Sequence, residues 1–295
     1  MKENTNMKSL TKKVLGVALV ATIAATMAVG LTACNKGKPG YTPVTAQADI
    51  FTELNSKTAD AGILDFTMAS YLLSTGSALA NNVQMISGIE YDAESYGIAF
   101  RKGSLGLCDK VNSALATLEQ TEVKTIATKY GLSENVLPLK YTAKTDLTAA
   151  DNADFEYIKG KKTFIVGYTL NAPMAIKASD NSLSGFDIEL PKAVIAKINE
   201  TLGTNIEVKF QLIEWANKET ELSSKTIDCI WNGMTITDQR KANMTISTPY
   251  LLNKQVVLIR KADASKYTTK ESLKKARVVA EDGSAGADIA KAIFA

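Results

Sequence analysis

The chain has 295 residues, of which 45% are hydrophobic and 22% charged, so it is long enough for one large domain or two lobes. Its formal net charge is +3, and residues 1–33 alone carry four lysines and one glutamate, so the near-neutral remainder leaves no electrostatic case for nucleic-acid binding. Histidine is absent, which removes Ser-His-Asp and Cys-His catalysis and imidazole-ligated metals.

The N-terminal segment has the pattern of a secretory signal. Lysines precede an uncharged apolar run over residues 14–31, and the run leads through Thr-Ala into Cys34. This ending resembles the bacterial lipobox, whose cysteine is lipidated and becomes the new N-terminus. We therefore expect residues 1–33 to be a lipoprotein signal peptide, Cys34 the lipid attachment site and residues 34–40 a tether. An uncleaved transmembrane anchor is the alternative, and in either case the rest of the chain works outside the cytoplasm.

The first half of the remaining chain alternates between helical and extended patterns. Hydrophobic spacing predicts a helix over residues 48–57 and strands over residues 61–64 and 96–100. Residues 111–130 predict two amphipathic helices or one broken helix. Residues 132–161 are polar and mixed in charge, so we interpret them as a linker.

The second half continues the alternation. Extended patterns predict strands over residues 163–167, 206–212, 227–231, 255–260 and 277–280. Helical spacing follows from residue 187 to 202, from 215 to 224 and after Ser284. Strands that alternate with helices predict an α/β fold whose sheets are mostly parallel and covered on both faces.

The stretch Asn-Gly-Met-Thr-Ile-Thr-Asp-Gln-Arg at residues 232–240 follows the strand predicted to end at residue 231. Ligands in open α/β sheets bind beyond the carboxyl ends of strands. Gly233 would let the backbone approach a ligand closely, Thr235 offers a hydroxyl, and Arg240 offers a planar fork suited to a carboxylate. These residues indicate a small-anion site, and the alternative is a turn with a capping threonine and a surface arginine.

Residues 233–240, together with Ile-Ser-Thr-Pro-Tyr at residues 246–250, resemble the signature of the amino-acid-binding proteins of ABC importers. Gly-Phe-Asp at residues 185–187 resembles a helix start of the same family. The resemblance covers nearly all of residues 41–131 and 160–295. It implies a two-lobed, type 2 periplasmic-binding-protein fold, in which each lobe is a mostly parallel sheet flanked by helices and the ligand lies in a cleft between the lobes.

The resemblance also implies roles for individual residues. Arg240 matches the arginine that binds the ligand α-carboxylate, and Thr235 matches a hydroxyl residue that binds the carboxylate or amine. Gly233 matches a backbone carbonyl that contacts the ammonium. Ser284 matches the carboxylate site of the second lobe, at a helix N-terminus. Asp65 matches the acid that pairs with the ligand ammonium.

Two further positions bear on the ligand side chain. Trp215 matches an aromatic residue that flanks the pocket. Asn171 stands where many members of the family carry an aromatic residue stacked on the ligand, so the side-chain preference stays open. The two residues suggest a polar amino acid.

The order of the matching segments differs from that of the family. The Tyr-Gly-Ile-Ala-Phe-Arg-Lys strand at residues 96–102 comes early, and the helix that begins at Ser284 ends the chain, so the sequence is interpreted as circularly permuted with the break inside lobe two. A single two-lobed chain is the favoured interpretation, and a swapped oligomer and a cloning or gene-prediction artefact are the alternatives.

The permuted order predicts five segments after the tether. They are the second part of lobe two (41–96), the C-terminal helices of lobe one (97–131), a linker joining the former termini (132–161), lobe one (162–255), and the hinge with the first part of lobe two (256–295).

The function implied by the resemblance is that of a substrate-binding lipoprotein that captures an amino acid and delivers it to an ABC permease. A ligand-binding sensor or adaptor of a signalling system is the alternative, and an extracellular enzyme is less favoured because no second pocket carboxylate is evident. We expect no catalysis, cofactor or metal. Cys108 and Cys229 support neither a disulfide nor a zinc site, since their contexts and spacing are unrelated.

Overall fold

The computed structural model describes residues 37–295, so the predicted signal peptide and Cys34 lie outside the described residues. The strands are β1 (Gly40–Val44), β2 (Ala61–Asp65), β3 (Val83–Met85), β4 (Ala93–Phe100), β5 (Thr163–Tyr168), β6 (Ile176–Lys177), β7 (Leu183–Ser184), β8 (Glu207–Leu212), β9 (Cys229–Thr235), β10 (Thr245–Ile246), β11 (Leu251–Arg260) and β12 (Arg277–Glu281).

The helices are α1 (Gln47–Asn55), α2 (Phe66–Ser74), α3 (Leu105–Leu118), α4 (Lys124–Lys129), α5 (Ala153–Lys161), α6 (Phe186–Leu202), α7 (Lys218–Ser223), α8 (Asp238–Asn243), α9 (Lys270–Leu273) and α10 (Ala285–Phe294). A π-helical turn at Glu119–Val123 joins α3 to α4, which resolves the broken helix expected near residues 111–130. Within residues 37–295, no helix is both long and apolar enough to cross a membrane.

The main sheet has two parallel parts joined by two antiparallel strands. Its strand order is β1-β12-β2-β11-β4-β9-β5-β8. β1, β12 and β2 are parallel and belong to lobe two, whereas β8, β5 and β9 are parallel and belong to lobe one. β11 pairs with β4 over residues 251–254 and with β2 over residues 255–259. The α/β class is therefore confirmed, and β4 and β11 are the strands that connect the lobes.

Lobe two buries its central strand β2 on both faces. All five residues of β2 are buried, and its consecutive residues Ile63 and Leu64 belong to different hydrophobic clusters. Leu64 packs with Ile50 of α1, whereas Ile63 packs with Ala287 of α10. Successive strand residues point to opposite faces, so a strand covered on both faces is continuously apolar rather than alternating.

Strand β9 extends further than predicted. It continues to Thr235, so Asn232, Gly233 and Thr235 lie within the strand and not beyond its end, as the sequence suggested. Gly233 has a φ of +59°, a left-handed conformation that favours glycine, and the pairing of β9 with β4 shifts register between Gly97 and Ala99. The left-handed residue and the register shift make β9 irregular at the position where it reaches the cleft.

The segment predicted to be a linker contains a helix fixed to lobe one. Helix α5 buries Ile158, and Lys161 at its end donates to the buried carboxylate of Asp228 at 2.7 Å. The backbone N–H of Ile165 donates to the same carboxylate at 2.7 Å, and Arg101 Nη2 lies 3.4 Å from it. These contacts connect the C-terminal end of α5 to β5 and to the residue before β9.

The two ends of the described chain meet in lobe two. β1 pairs in parallel with β12, and β12 also pairs in parallel with β2. The C-terminal strand therefore lies between two N-terminal strands, and α10 packs on the same sheet. The sheet of lobe two is thus formed by both the N-terminal and the C-terminal segments of the described chain.

Candidate functional site

All seven residues predicted to bind a ligand line one cleft between the lobes. Lobe one contributes residues from β9, from α8 and from the turns after β5 and β8. Lobe two contributes the carboxyl ends of β2 and β12 and the starts of α1 and α10. The lining residues are Gln47, Asp65, Asn171, Trp215, Asn232, Gly233, Thr235, Arg240, Glu281, Ser284 and Ala285.

Arg240 lies in α8 and is held by neutral groups. The hydroxyl of Thr237 caps the helix by accepting from the Arg240 backbone N–H at 3.2 Å. Arg240 Nη1 donates to the Thr235 carbonyl at 2.6 Å, and Nη2 crosses the cleft to the Gly283 carbonyl at 3.0 Å. The guanidinium carbon also lies 5.7 Å from the centre of the Trp215 ring. No carboxylate pairs with Arg240 among residues 37–295, so a ligand carboxylate would be its first full counter-charge.

The start of helix α10 faces Arg240 across the cleft. Ser284 caps this helix, since its Oγ accepts from the Ala287 N–H at 3.1 Å. The N–H groups of Ala285 and Gly286 belong to the first turn and have no acceptor within the helix. These amides and the helix dipole favour an anion, and they supply donors where Ala285 lacks a hydroxyl.

Asp65 is buried at the end of β2 and accepts several hydrogen bonds. Its Oδ1 accepts from Asn253 Nδ2 at 2.7 Å and from Gln255 Nε2 at 2.6 Å, and its Oδ2 accepts from Gln47 Nε2. Burial raises the pKa of Asp65, and the three amide donors act in the opposite direction. In the described part of the chain no cation pairs with this carboxylate, so it is suited to receive a ligand ammonium.

Glu94 is a carboxylate of the connecting strand β4 that the sequence interpretation missed. Its Oε1 accepts from Thr235 Oγ1 at 2.9 Å, from Asn253 Nδ2 at 2.6 Å and from Gln255 Nε2 at 2.7 Å. Burial, and then the charge of Asp65, raise the pKa of Glu94. The Thr235 hydroxyl is thus already engaged as a donor. The two amides bridge Glu94 and Asp65, so hydrogen bonds connect the two half-sites through the hinge strands.

Glu281 is a second missed carboxylate, and the expectation of no further pocket carboxylate was wrong. It ends β12 and is only 4% exposed while lining the cleft. Burial, and then the nearby charge of Asp65, raise the pKa of Glu281 to about 8. Its position directly before Asp-Gly-Ser, at the carboxyl end of a parallel strand, was the available signal in the sequence.

The backbone of Gly233 is held by a hydrogen bond to the side chain of Asp187. The Gly233 N–H and the Tyr250 hydroxyl donate to Asp187 Oδ2 at 2.7 and 2.8 Å. Burial raises the pKa of Asp187 to about 7. Asp187 lies in the first turn of α6, but its carboxylate binds the strand rather than the free amides of its own helix. Because the Gly233 amide is engaged, the Gly233 carbonyl is the group that can face a ligand.

Two amide side chains present unsatisfied acceptors in the cleft wall. Asn171 Oδ1 and Asn232 Oδ1 are buried without a hydrogen-bond donor in the described chain. Asn232 is oriented by its Nδ2, which donates to Thr169 Oγ1 at 2.6 Å. A buried acceptor without a donor lowers the stability of the protein, so a ligand that donates a hydrogen bond here would be favoured.

Cys108 and Cys229 are both buried and unpaired. Burial raises the pKa of each thiol. Within the part of the chain that the structure describes, no group of histidine, cysteine or carboxylate side chains is arranged to hold a metal ion. The cysteines thus contribute to the hydrophobic core rather than to the cleft.

Comparison with known proteins finds a family match in the central and C-terminal part of the chain. Residues 164–290 match the bacterial extracellular solute-binding proteins, family 3. This segment contains Arg240 and Ser284, whereas Asp65 and Glu94 lie before it. No curated protein matches the chain.

Several solved structures are similar over part of the chain. An ABC uptake transporter substrate-binding protein from Streptococcus pneumoniae with bound histidine is 37% identical over 32% of this chain, with a TM-score of 0.28. A polar amino acid ABC uptake transporter substrate-binding protein from Streptococcus thermophilus is 37% identical over 30% of this chain, with a TM-score of 0.28. The arginine-bound form of a truncated ArgBP from T. maritima is 27% identical over 30%, with a TM-score of 0.27. The matches span 36%, 32% and 39% of the lengths of these three chains.

Proposed function

We propose that this protein is an extracytoplasmic receptor that captures a free polar amino acid by hinge closure. One observation carries the proposal: an arginine of lobe one and a carboxylate of lobe two, neither paired with an opposite charge in the described chain, line the same cleft. Arg240 and the α10 N-terminus suit an α-carboxylate. Asp65 suits an α-ammonium.

The division of donors and acceptors between the lobes supports this chemistry. The α-carboxylate would accept from Arg240 of lobe one and from the first-turn amides of α10 in lobe two. The α-ammonium would donate to Asp65 of lobe two and to the Gly233 carbonyl of lobe one. Each charged end of a zwitterion therefore needs both lobes, and a ligand that contacts both lobes favours the closed state. Closure also excludes water, which strengthens each charge pair.

Contacts between the lobes are already formed around the Gly283 carbonyl. It accepts from Arg240 Nη2 at 3.0 Å and from Lys218 Nζ at 3.2 Å, and both donors belong to lobe one. These contacts describe a closed arrangement. Opening requires the two hinge strands β4 and β11 to bend near Glu94 and Asn253, where the partner of β11 changes from β4 to β2.

The cellular role follows from this binding activity. The matched family is extracellular and binds solutes. We propose that the receptor delivers its amino acid to an ABC permease and that a lipid on Cys34 anchors it to the membrane. Cleavage at the lipobox places Cys34 at the mature N-terminus, and the short tether that follows keeps the receptor beside its permease.

A panel of amino acids tests the proposed function. The purified protein is unfolded and refolded to remove carried-over ligand, and its melting temperature is measured with each of the twenty amino acids. We expect a ligand at 100 times its Kd to stabilise the native state by about 2.7 kcal/mol and to raise the melting temperature. Calorimetric titration then gives the Kd. A panel in which no amino acid shifts the transition contradicts the proposal.

We also propose that one chain forms both lobes with a permuted order of segments. The placement of β12 between β1 and β2 supports this order, and the docking of α5 supports a connection through residues 132–161. The lipid-free protein, lacking residues 1–34, is expected to sediment as a monomer at low micromolar concentration. A stable dimer would favour exchange of segments between chains.

A further inference from the structure

The α-ammonium and α-carboxylate of an amino acid cannot satisfy all the acceptors that line the cleft. A ligand ammonium and carboxylate would engage Asp65 and Arg240. The Oδ1 atoms of Asn171 and Asn232 would still lack donors, and the carboxylate of Glu281 would still lack a cation within ion-pairing distance in the described chain. All three groups line the same cleft and are at least nine-tenths buried.

Among these groups, Glu281 has the largest free-energy cost of burial without a partner, because it can carry a full charge. Among residues 37–295 no cation lies within ion-pairing distance of it, and a hydrogen bond from Gln47, which also donates to Asp65, lowers its pKa only in part. Lys218 lies nearby, but its ammonium is directed to the carbonyls of Trp215 and Gly283, both at 3.2 Å. A buried carboxylate without a partner is strongly unfavourable when ionised.

We propose that Glu281, with the carbonyl oxygens of Asn171 and Asn232, forms a subsite for a cationic side chain, so that the ligand is a basic amino acid. This inference rests on the proposed function and names the substrate class of the same cleft. An ammonium or guanidinium brings several N–H donors and one positive charge. A cationic side chain would therefore provide hydrogen-bond donors to the two amide oxygens and a counter-charge to Glu281. With a neutral side chain, Glu281 would either stay protonated or be ionised without a counter-charge.

Binding of a cation should also release a proton. The pKa of Glu281 is about 8 before binding, so most molecules carry a proton there at pH 7. A bound cation favours the ionised form, so affinity for a basic ligand should rise as pH increases from 6 to about 8. The charged groups that act on Glu281 are Asp65 on β2, Lys218 on α7 and Asp49 on α1, and Arg240 on α8 lines the same cleft.

Arginine and citrulline provide a matched pair of ligands, since citrulline replaces the guanidinium with a neutral urea of similar shape. We expect the protein to bind arginine at least about tenfold more tightly than citrulline, because only arginine gives Glu281 a counter-charge. In Glu281→Gln the difference should fall to about threefold or less, through a loss of arginine affinity. Asp282→Asn is the control, since Asp282 is the exposed neighbour on the same strand end.

Calorimetry in buffers of different ionisation enthalpy adds a second readout. Arginine binding at pH 7 should release more protons than citrulline binding, and Glu281→Gln should remove that excess. Protons released from Asp65 by the α-ammonium are common to both ligands, so the excess reports on Glu281. Circular dichroism of the variants checks that they are folded.

Three results would overturn the inference. The first is a protein that binds citrulline or glutamine as tightly as arginine. The second is a Glu281→Gln variant that loses both ligands equally, which would make Glu281 a structural residue. In these two cases the proposed amino-acid receptor stands. The third is a protein that binds no α-amino acid, in which case the proposed function fails as well.

Discussion

Replacing Arg240 with alanine is expected to weaken amino-acid binding by at least about tenfold. A charge-assisted hydrogen bond contributes about 1.5–3 kcal/mol, which corresponds to roughly 10- to 150-fold in Kd. Arg240 is the only cation among the residues that line the cleft, within the described chain, so its loss leaves the α-carboxylate with the amides of α10 alone. Isothermal titration of Arg240→Ala with the tightest ligand of the panel measures the change.

Two variants separate the charge of Arg240 from its geometry. Arg240→Lys keeps a cation but loses the planar fork, so its affinity should lie between those of the parent protein and Arg240→Ala. Lys241→Ala is the matched control, since Lys241 is exposed and pairs only with Asp238, at 3.2 Å. Alanine keeps the backbone N–H that Thr237 caps, so α8 should be retained. Unchanged affinity in Arg240→Ala would exclude the guanidinium from carboxylate binding.

The sequence identified the strand and helix pattern because that pattern depends on local periodicity. The buried run of β2, the alternation of β8 and the amphipathic α6 are all visible within single segments. The position of Arg240 was likewise predictable, since it follows a glycine and a capping threonine in a short motif. The irregularity of β9 at Gly233 was not, because it arises from pairing with a strand more than 130 residues away.

The carboxylates that the sequence analysis missed also reach the cleft through long-range packing. Glu94 stands in an ordinary strand pattern, and only the pairing of β4 with β9 and β11 places it beside Thr235 and Asn253. Asp187 lies in the first turn of α6, where an aspartate usually interacts with the helix dipole. Its contact with Gly233 depends on how α6 packs under β9. Long-range packing therefore decides which polar residues reach the cleft, and local pattern does not record it.

Replacing Asp65 is expected to cause the second large loss of amino-acid affinity. Asp65→Ala should weaken binding of every amino acid by at least about tenfold, because the α-ammonium loses its carboxylate and is left partly buried without a counter-charge. The change also removes the common acceptor of Gln47, Asn253 and Gln255. Asp92→Ala, which removes an exposed carboxylate before β4, is the control for net charge. Retained affinity in Asp65→Ala, in a protein that melts like its parent, would exclude the assigned role.

The pattern of loss across ligands distinguishes Asp65 from Glu281. Arginine and citrulline share the α-ammonium, so Asp65→Ala should weaken both by a similar factor, whereas Glu281→Gln should weaken arginine alone. If Asp65→Ala instead weakened arginine and spared citrulline, the ligand would lie in the reverse orientation, with its side chain at Asp65 and its α-ammonium at Glu281. The two carboxyls are close enough for the charge of one to raise the pKa of the other, so the effects of the single changes need not add. Measuring both ligands against both single variants therefore determines which end of the amino acid each carboxylate holds.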